Sequence, residues 1–344
     1  MKKLFVTGGA GFIGSAFVRL VLAEIPGCEV VNFDALTYAG NLDNLEGVDE
    51  GRHRFVRGDI CDREAVLAAL EEGTEAVVNF AAESHVDRSI ASADEFLRTN
   101  ILGTQVLLDA ARSRSVRRFV QISTDEVMGS LPDDDDAYFT EASPFEPNSP
   151  YSASKAAAEH LCRAAHQTHG LDTVITRCGN NYGPRQFPEK FLPLIISNAM
   201  RGEPLPLYGD GRYTRDWIYV EDHCRAILMV LQKGRSGAAY NIGARNERRN
   251  LEVAEAVLGK LGKPLSLIRH VKDRPGHDRR YAIDPAKVES ELGWRPRETW
   301  ESGLEKTVRW YAENGVWVER TRSGAYRDYY ERQYGAEKSL ESEV

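Results

Sequence analysis

The stretch Thr7-Gly8-Gly9-Ala10-Gly11-Phe12-Ile13-Gly14 stands between a short apolar run, Lys3 to Thr7, and a segment of helical period, Phe12 to Glu24. Gly9, Gly11 and Gly14 fit GxGxxG, and Gly8, Gly11 and Gly14 fit the related GxxGxxG. At such a strand–turn–helix junction glycine lets the backbone approach a pyrophosphate, and the helix N-terminus supplies free N–H groups and a positive dipole. Gly-rich turns also occur as plain loops, so the surrounding pattern decides. Further strand candidates are Glu29 to Asp34, Arg54 to Arg57, Ala76 to Ala81, Arg118 to Ser123 and Thr173 to Arg177. Helices are expected at Phe12 to Glu24, Arg63 to Glu71, Ala93 to Arg114 and Ser149 to His169. Apolar strands alternating with helical segments predict an α/β fold with a doubly wound parallel sheet covered on both faces.

After about Gly179 the pattern loosens, with Pro184, Pro188, Pro193, Pro204 and Pro206 punctuating it, as in a smaller lobe on long connections. The expected division is residues 1–180 for the dinucleotide unit, with about 216–247 returning to it, 181–334 for a smaller C-terminal α/β substrate lobe, and 335–344 as a polar tail. Tyr326, Tyr329, Tyr330 and Tyr334 are read as lobe packing. A length of 344 residues is enough for this plan. The formal net charge of −8 and pI near 5.6 give no electrostatic footprint for nucleic acid. No apolar run reaches the roughly 18 residues of a membrane span. Leu4-Phe5-Val6 reads as a strand rather than a signal peptide, because Gly8-Gly9 cut the apolar stretch. Cys28, Cys61, Cys162, Cys178 and Cys224 are odd in number and form no CxxC, which points to a reducing cytoplasm. There is no HExxH, and His166 with His169 lacks further ligands at metal spacing, so no metal is expected. The run Asp133 to Asp136 is read as a solvated loop.

Asp34 closes the second strand candidate twenty residues beyond Gly14. A carboxylate there can accept from the adenosine ribose hydroxyls and would repel a 2′-phosphate, which favours NAD over NADP; the competing reading is a turn or helix cap. Asp59 and Ala81-Ala82, at later strand ends, fall where adenine and the nicotinamide half would lie. Tyr151 and Lys155 are four apart on one helix face. A free phenol, with a pKa near ~10, is a poor base; an adjacent ammonium and the charged nicotinamide ring would lower it. Thr124 ends the fifth strand candidate, and Asp125 and Glu126 follow at once, their side chains expected on opposite sides of a still-extended chain.

A Gly-rich first turn, a strand-end hydroxyl and a YxxxK helix, in that order, resemble the extended short-chain dehydrogenase/reductase superfamily, whose sheet is Rossmann-type. Thr124-Asp125-Glu126, Ala81-Ala82-Glu83-Ser84-His85-Val86-Asp87, Asn180-Asn181-Tyr182-Gly183-Pro184, Gln186-Phe187-Pro188-Glu189-Lys190, Arg215-Asp216-Trp217 and Asp273-Arg274-Pro275-Gly276-His277-Asp278 resemble the dTDP-glucose 4,6-dehydratase family, from about residue 3 to residue 315. The resemblance implies NAD bound by Gly8, Gly11, Phe12, Ile13, Gly14, Asp34, Ala35, Leu36, Thr37, Asp59, Ile60, Phe80, Ala81, Ala82, Ser84, Thr99, Tyr151, Lys155 and Asn181. It implies catalysis by Thr124, Asp125, Glu126, Tyr151 and Lys155. Tyr151 would take the proton of the sugar 4-hydroxyl, Glu126 the C5 proton, and Asp125 would protonate the leaving C6 hydroxyl. Thr124 and Lys155 would orient sugar and ribose.

Nucleotide-sugar contacts are implied at Ser84, Thr124, Asn180, Lys190, Phe191, Pro206, Leu207, Tyr208, Arg215, Asn250, Asp273, Arg274 and His277. Arg215 also suits a diphosphate by its own geometry. The family also implies a homodimer meeting through helices around residues 93–114 and 149–169. Two positions depart from its usual pattern: Met128 replaces the tyrosine of TDEVYG, and Arg185 stands where an aromatic is frequent. The residues leave thymine and uracil nucleotides, hence a UDP-glucose 4,6-dehydratase, both open. A nucleotide-sugar 4-epimerase would have no use for Asp125-Glu126, and a non-catalytic NAD-sensing protein none for Tyr151 and Lys155.

Overall fold

A computed structural model describes residues 1–133 and 136–322. The tyrosines from Tyr326 to Tyr334, the tail 335–344 and two of the four residues in the acidic run lie outside the described residues. Strands β1 (Lys3–Thr7), β2 (Glu29–Asp34), β3 (His53–Arg57), β4 (Ala76–Asn79), β5 (Arg118–Thr124) and β6 (Thr173–Cys178) appear in the expected order. They form one parallel sheet with β10 (Ala239–Ile242), in the order β10-β6-β5-β4-β1-β2-β3. Side chains alternate across it. Leu4, Val6, Val30, Val78 and Val120 pack with helices Phe12–Glu24 and Val220–Lys233 on one face. Phe5, Val31, Phe33, Val77 and Phe119 pack with helices Thr104–Ser113 and Pro150–His169 on the other. A sheet buried on both faces needs unbroken apolar runs, which is why these strands stand out in the sequence.

The rest of the chain builds a second layer. Strands β7 (Asn180–Tyr182), β9 (Thr214–Tyr219) and β11 (Glu247–Arg249) make a three-stranded sheet, and β8 (Leu205–Tyr208) pairs with β12 (Ile268–Val271). Tyr182, Trp217, Tyr219, Trp300 and Trp317 supply much of its core. The division along the chain is interleaved: β9 belongs to this layer, whereas the helix Val220–Lys233 that follows, β10, Val288 and Trp294 pack with the main sheet.

The expected continuous helix from Ala93 to Arg114 differs in detail. An α-helical turn, Asp94–Phe96, passes into a π-helical segment, Leu97–Gly103, before α geometry resumes at Thr104–Ser113. The cause is Asn100, only 2 % exposed. Its amide accepts from Glu83 N at 2.9 Å and donates to Glu83 O at 3.0 Å and to Ser154 Oγ at 2.8 Å. Widening the helix by one residue per turn lets that side chain reach a neighbouring loop. A short helix, Val86–Ala91, was not foreseen. No described helix is long and apolar enough to cross a membrane.

Candidate functional site

The C-terminal ends of the parallel strands open into a cleft of ≈ 380 Å³. At its first wall the chain leaves β1 through Gly8, which has φ +67°. A Cβ on Gly8 would lie 2.6 Å from Ala81 N, and one on Gly14 would lie 2.2 Å from Gly8 O, so both positions require glycine. Gly11 caps the helix Phe12–Glu24 without a side-chain hydrogen bond, and the first turn carries no acidic residue. Its N–H groups are therefore available to an anion, as a pyrophosphate requires. Asp34 is buried and accepts from Ala10 N at 2.9 Å and Leu36 N at 2.8 Å. Burial raises its pKa and those two bonds oppose the rise. The carboxylate thus braces the turn around it, as the turn-cap reading expects.

Gly8, Gly11, Phe12, Ile13, Gly14, Asp34, Ala35, Thr37, Asp59, Ile60, Phe80, Ala81, Ala82, Ser84, Thr99 and Asn181 all line the cleft. Leu36 does not; it sits at φ +54° and holds Asp34 through its N–H. An elongated channel with a glycine cradle at one wall and a carboxylate one strand away fits a dinucleotide.

Thr124, Asp125, Glu126, Tyr151 and Lys155 line the far end. Here the expectation of an extended acidic pair is corrected: β5 stops at Thr124, and Asp125–Met128 forms a 3₁₀ turn. Thr124 Oγ1 accepts from Glu126 N at 3.3 Å, which tightens the chain as a cap does. The two carboxyl groups end in different surroundings. Asp125 is 1 % exposed, and its Oδ2 is buried with no hydrogen-bond partner among the described residues. Burial, then the neighbouring Glu126 charge, push Asp125 well above the usual carboxylate range. Burial raises Glu126 too, but Arg274, Lys190 and Arg215 pull it back.

Tyr151 and Lys155 come from a helix started by Pro150 and a Ser149/Ser152 capping box, which fixes its first turn against β5. Lys155 Nζ donates to Ile122 O at 2.6 Å rather than to Tyr151. Burial lowers the ammonium to about 8, against the raising effect of Glu159. Among the protein's own groups, burial, followed by the charge of Glu126, raises the Tyr151 phenol well above its ordinary range, and the Thr124 side chain opposes the rise.

Ser84, Asn180, Lys190 and Phe191 line the same cleft, with Lys190 Nζ donating to Ser84 O at 2.6 Å. The remaining expected nucleotide-sugar residues lie outside that lining. Arg274 pairs with Asp87 at 2.9 Å, and Tyr208 donates to the same carboxylate at 3.1 Å. His277 stacks on Tyr213 at 3.6 Å and contacts Asp273 at 2.7 Å. Arg215 is buried; its guanidinium donates to Thr214 O at 2.7 Å and Asp278 O at 2.9 Å. Asn250 starts the helix Asn250–Leu261, and Pro206 lies in β8. The Leu207 side chain is buried against the Gly211 turn. Sequence reasoning missed Glu83, Cys178, Gln186, Glu189 and Trp217 as lining residues. All of these but Cys178 stand inside motifs already noted, which was the available signal.

A parallel sheet with a glycine cradle, a strand-end Thr-Asp-Glu turn and a Tyr/Lys helix defines a nucleotide-sugar enzyme of the extended short-chain dehydrogenase/reductase class. In agreement, the family model described as GDP-mannose 4,6 dehydratase matches residues 5–307. A dTDP-glucose 4,6-dehydratase of Xanthomonas campestris pv. campestris (strain B100) is 51% identical over 95% of this chain and 98% of its own length. The chain belongs to the dTDP-glucose 4,6-dehydratase family. The crystal structure of DesIV, a dTDP-glucose 4,6-dehydratase from Streptomyces venezuelae with NAD bound, is 52% identical with a TM-score of 0.90, covering 93% of this chain and 99% of that one. A UDP-glucose 4-epimerase from Thermus thermophilus, in complex with NAD, is 33% identical with a TM-score of 0.84 over 91% of this chain and 99% of that one.

Proposed function

We propose that this protein is an NAD-dependent dTDP-glucose 4,6-dehydratase, a hydro-lyase that forms dTDP-4-keto-6-deoxy-glucose. The observation that carries the reading is the Asp125-Glu126 turn beside Tyr151, two carboxyls raised in pKa by burial, of which Glu126 feels the charges of Arg274 and Lys190 as well as Arg215. An epimerase has no work for such a pair. The NAD that the glycine cradle and Asp34 would hold would supply reversible hydride acceptance, taking the hydride from C4 and returning it at C6. Tyr151 removes the proton of the 4-hydroxyl, oriented by Thr124. The resulting ketone acidifies C5–H, and ionised Glu126 takes that proton. Protonated Asp125 delivers its own to the C6 hydroxyl, so water leaves, and C5 is reprotonated as the hydride returns to C6. Lys155, fixed on Ile122 O, orients the ribose. Ser84, Asn180, Lys190, Arg215, Arg274 and His277 hold the nucleotide-sugar.

The reading includes a homodimer, supported by the groove between Gln105–Arg112 and Leu161–Leu171 and by exposed Leu97 and Leu102 nearby in the chain. Five free cysteines support a reducing, cytoplasmic setting.

Incubation with dTDP-glucose is expected to give a product lighter by one water with no net NADH, read by mass spectrometry and absorbance. A product of unchanged mass with C4 inverted would select the epimerase instead. The pH profile of kcat/KM is expected to be bell-shaped. On the acid side activity falls as Glu126 gains a proton, and its raised pKa moves that limb above the ordinary glutamate range. On the alkaline side it falls as Asp125 loses one. Asp125→Asn should therefore remove the alkaline limb and keep the acid one; an unaltered bell shape in that variant would contradict the assignment.

A further inference from the structure

We propose that Tyr38, Arg88, Phe187 and Glu189 form a clasp across the cofactor cleft that slows passage of the dinucleotide in either direction. It rests on the NAD reading above. Thr37, Ala39 and Gly40 line one wall of the cleft, and Gln186, Phe187 and Glu189 line the facing one. Tyr38 joins the two walls. Its ring meets Phe187 edge-on at 5.9 Å, and the Arg88 guanidinium sits 4.0 Å over its face. Arg88 Nη2 lies 3.3 Å from Glu189 Oε2, and, after burial, the Glu189 charge also bears on the Tyr38 hydroxyl, raising its pKa. Glu189 is 6 % exposed, so the carboxylate end of this ion pair is shielded from water.

Both arms are held at their bases. The Tyr38 arm leaves from Asp34, which holds Leu36 N at 2.8 Å, and returns where Asn41 N donates to Ala10 O at 3.0 Å. The opposite arm is fixed by Lys190 on Ser84 O at 2.6 Å. Three segments distant in sequence therefore meet at one tyrosine whose contacts must break together. Neither the glycine cradle nor the acid/base turn calls for this arrangement. A reaction that takes hydride from C4 and returns it to C6 completes only while the same dinucleotide stays in place. Slow exchange therefore serves that cycle.

The decisive measurement is stopped-flow fluorescence of NADH with the full protein and no sugar nucleotide. Tyr38→Ala is expected to accelerate dissociation by about tenfold or more, with association faster as well. Tyr38→Phe, which keeps the ring contacts and loses the hydroxyl on which the Glu189 charge acts, should fall between wild type and Tyr38→Ala. Dissociation within about twofold of wild type in either folded variant overturns the clasp. Faster dissociation with slower association also overturns it, since that pattern is a damaged site rather than an opened passage. If Tyr38→Ala does not fold, Tyr38→Phe decides alone: faster exchange supports the clasp and unchanged exchange refutes it. Absence of NADH binding by the wild-type protein would refute the cofactor reading itself, a result distinct from a variant that binds and releases at the wild-type rate.

Discussion

Glu126→Gln is expected to retain NAD and the sugar nucleotide while turnover falls by about 10²–10⁴-fold, the usual contribution of a positioned base. The substitution is nearly isosteric, so the 3₁₀ turn and the bond from Glu126 N to Thr124 Oγ1 persist. What disappears is the acceptor for the C5 proton. Arg274, Lys190 and Arg215 face this side chain. Their attraction opposes the rise that burial and the charge of Asp278 impose on the carboxylate. Deuterium incorporation at C5 isolates the step: the variant should still oxidise C4 on a single turnover, seen as NADH absorbance, without solvent exchange at C5. Wild-type exchange in Glu126→Gln would assign the base to another group.

The second large effect is on stability. Arg177→Met is expected to destabilise the fold by about 3–5 kcal/mol, because it strands a buried carboxylate. Arg177 Nη2 lies 2.8 Å from Glu159 Oε2, and its Nε reaches both carboxylate oxygens at 3.0 and 3.1 Å. The pair is almost fully enclosed, and the guanidinium also stacks 4.8 Å from the Phe145 ring. Glu159 lies one turn beyond Lys155 and raises its pKa, so the pair also conditions the helix that carries Tyr151. Urea unfolding provides the check. The double variant Arg177→Met/Glu159→Gln should recover part of the loss, since it removes the orphaned charge along with its partner. Equal destabilisation of single and double variants would show that packing by the arginine, not pairing, is what matters.

The main sheet was legible because both of its faces are buried: β1 and β2 match their expected limits, and the other four foreseen strands differ by one or two residues. The cofactor turn was legible because close backbone approach leaves glycine as the only fit at Gly8 and Gly14. Less visible were features set by contacts distant in sequence. Asn100 widens its helix because of Glu83 and Ser154, neither of which local period can report. The Asp125-Glu126 turn depends on a cap made by Thr124, and a hydroxyl before two carboxylates reads equally well as continued strand. Tyr38 carries no signal at all until Arg88, Phe187 and Glu189 are seen around it.

The interleaving of the two layers also limits how the molecule can move. The chain passes from β6 to β7 across Gly179, from β9 directly into the helix Val220–Lys233, and from β10 to β11 within a few residues. Several short, separate threads therefore join the sheet to the lobe that covers it. A single joint could let one half swing over the other, but parallel tethers act like the legs of a table and hold the separation of the halves constant. Substrate access must then come from side chains and short loops at the mouth, and neither half can be cut out of the chain as an independent folding unit.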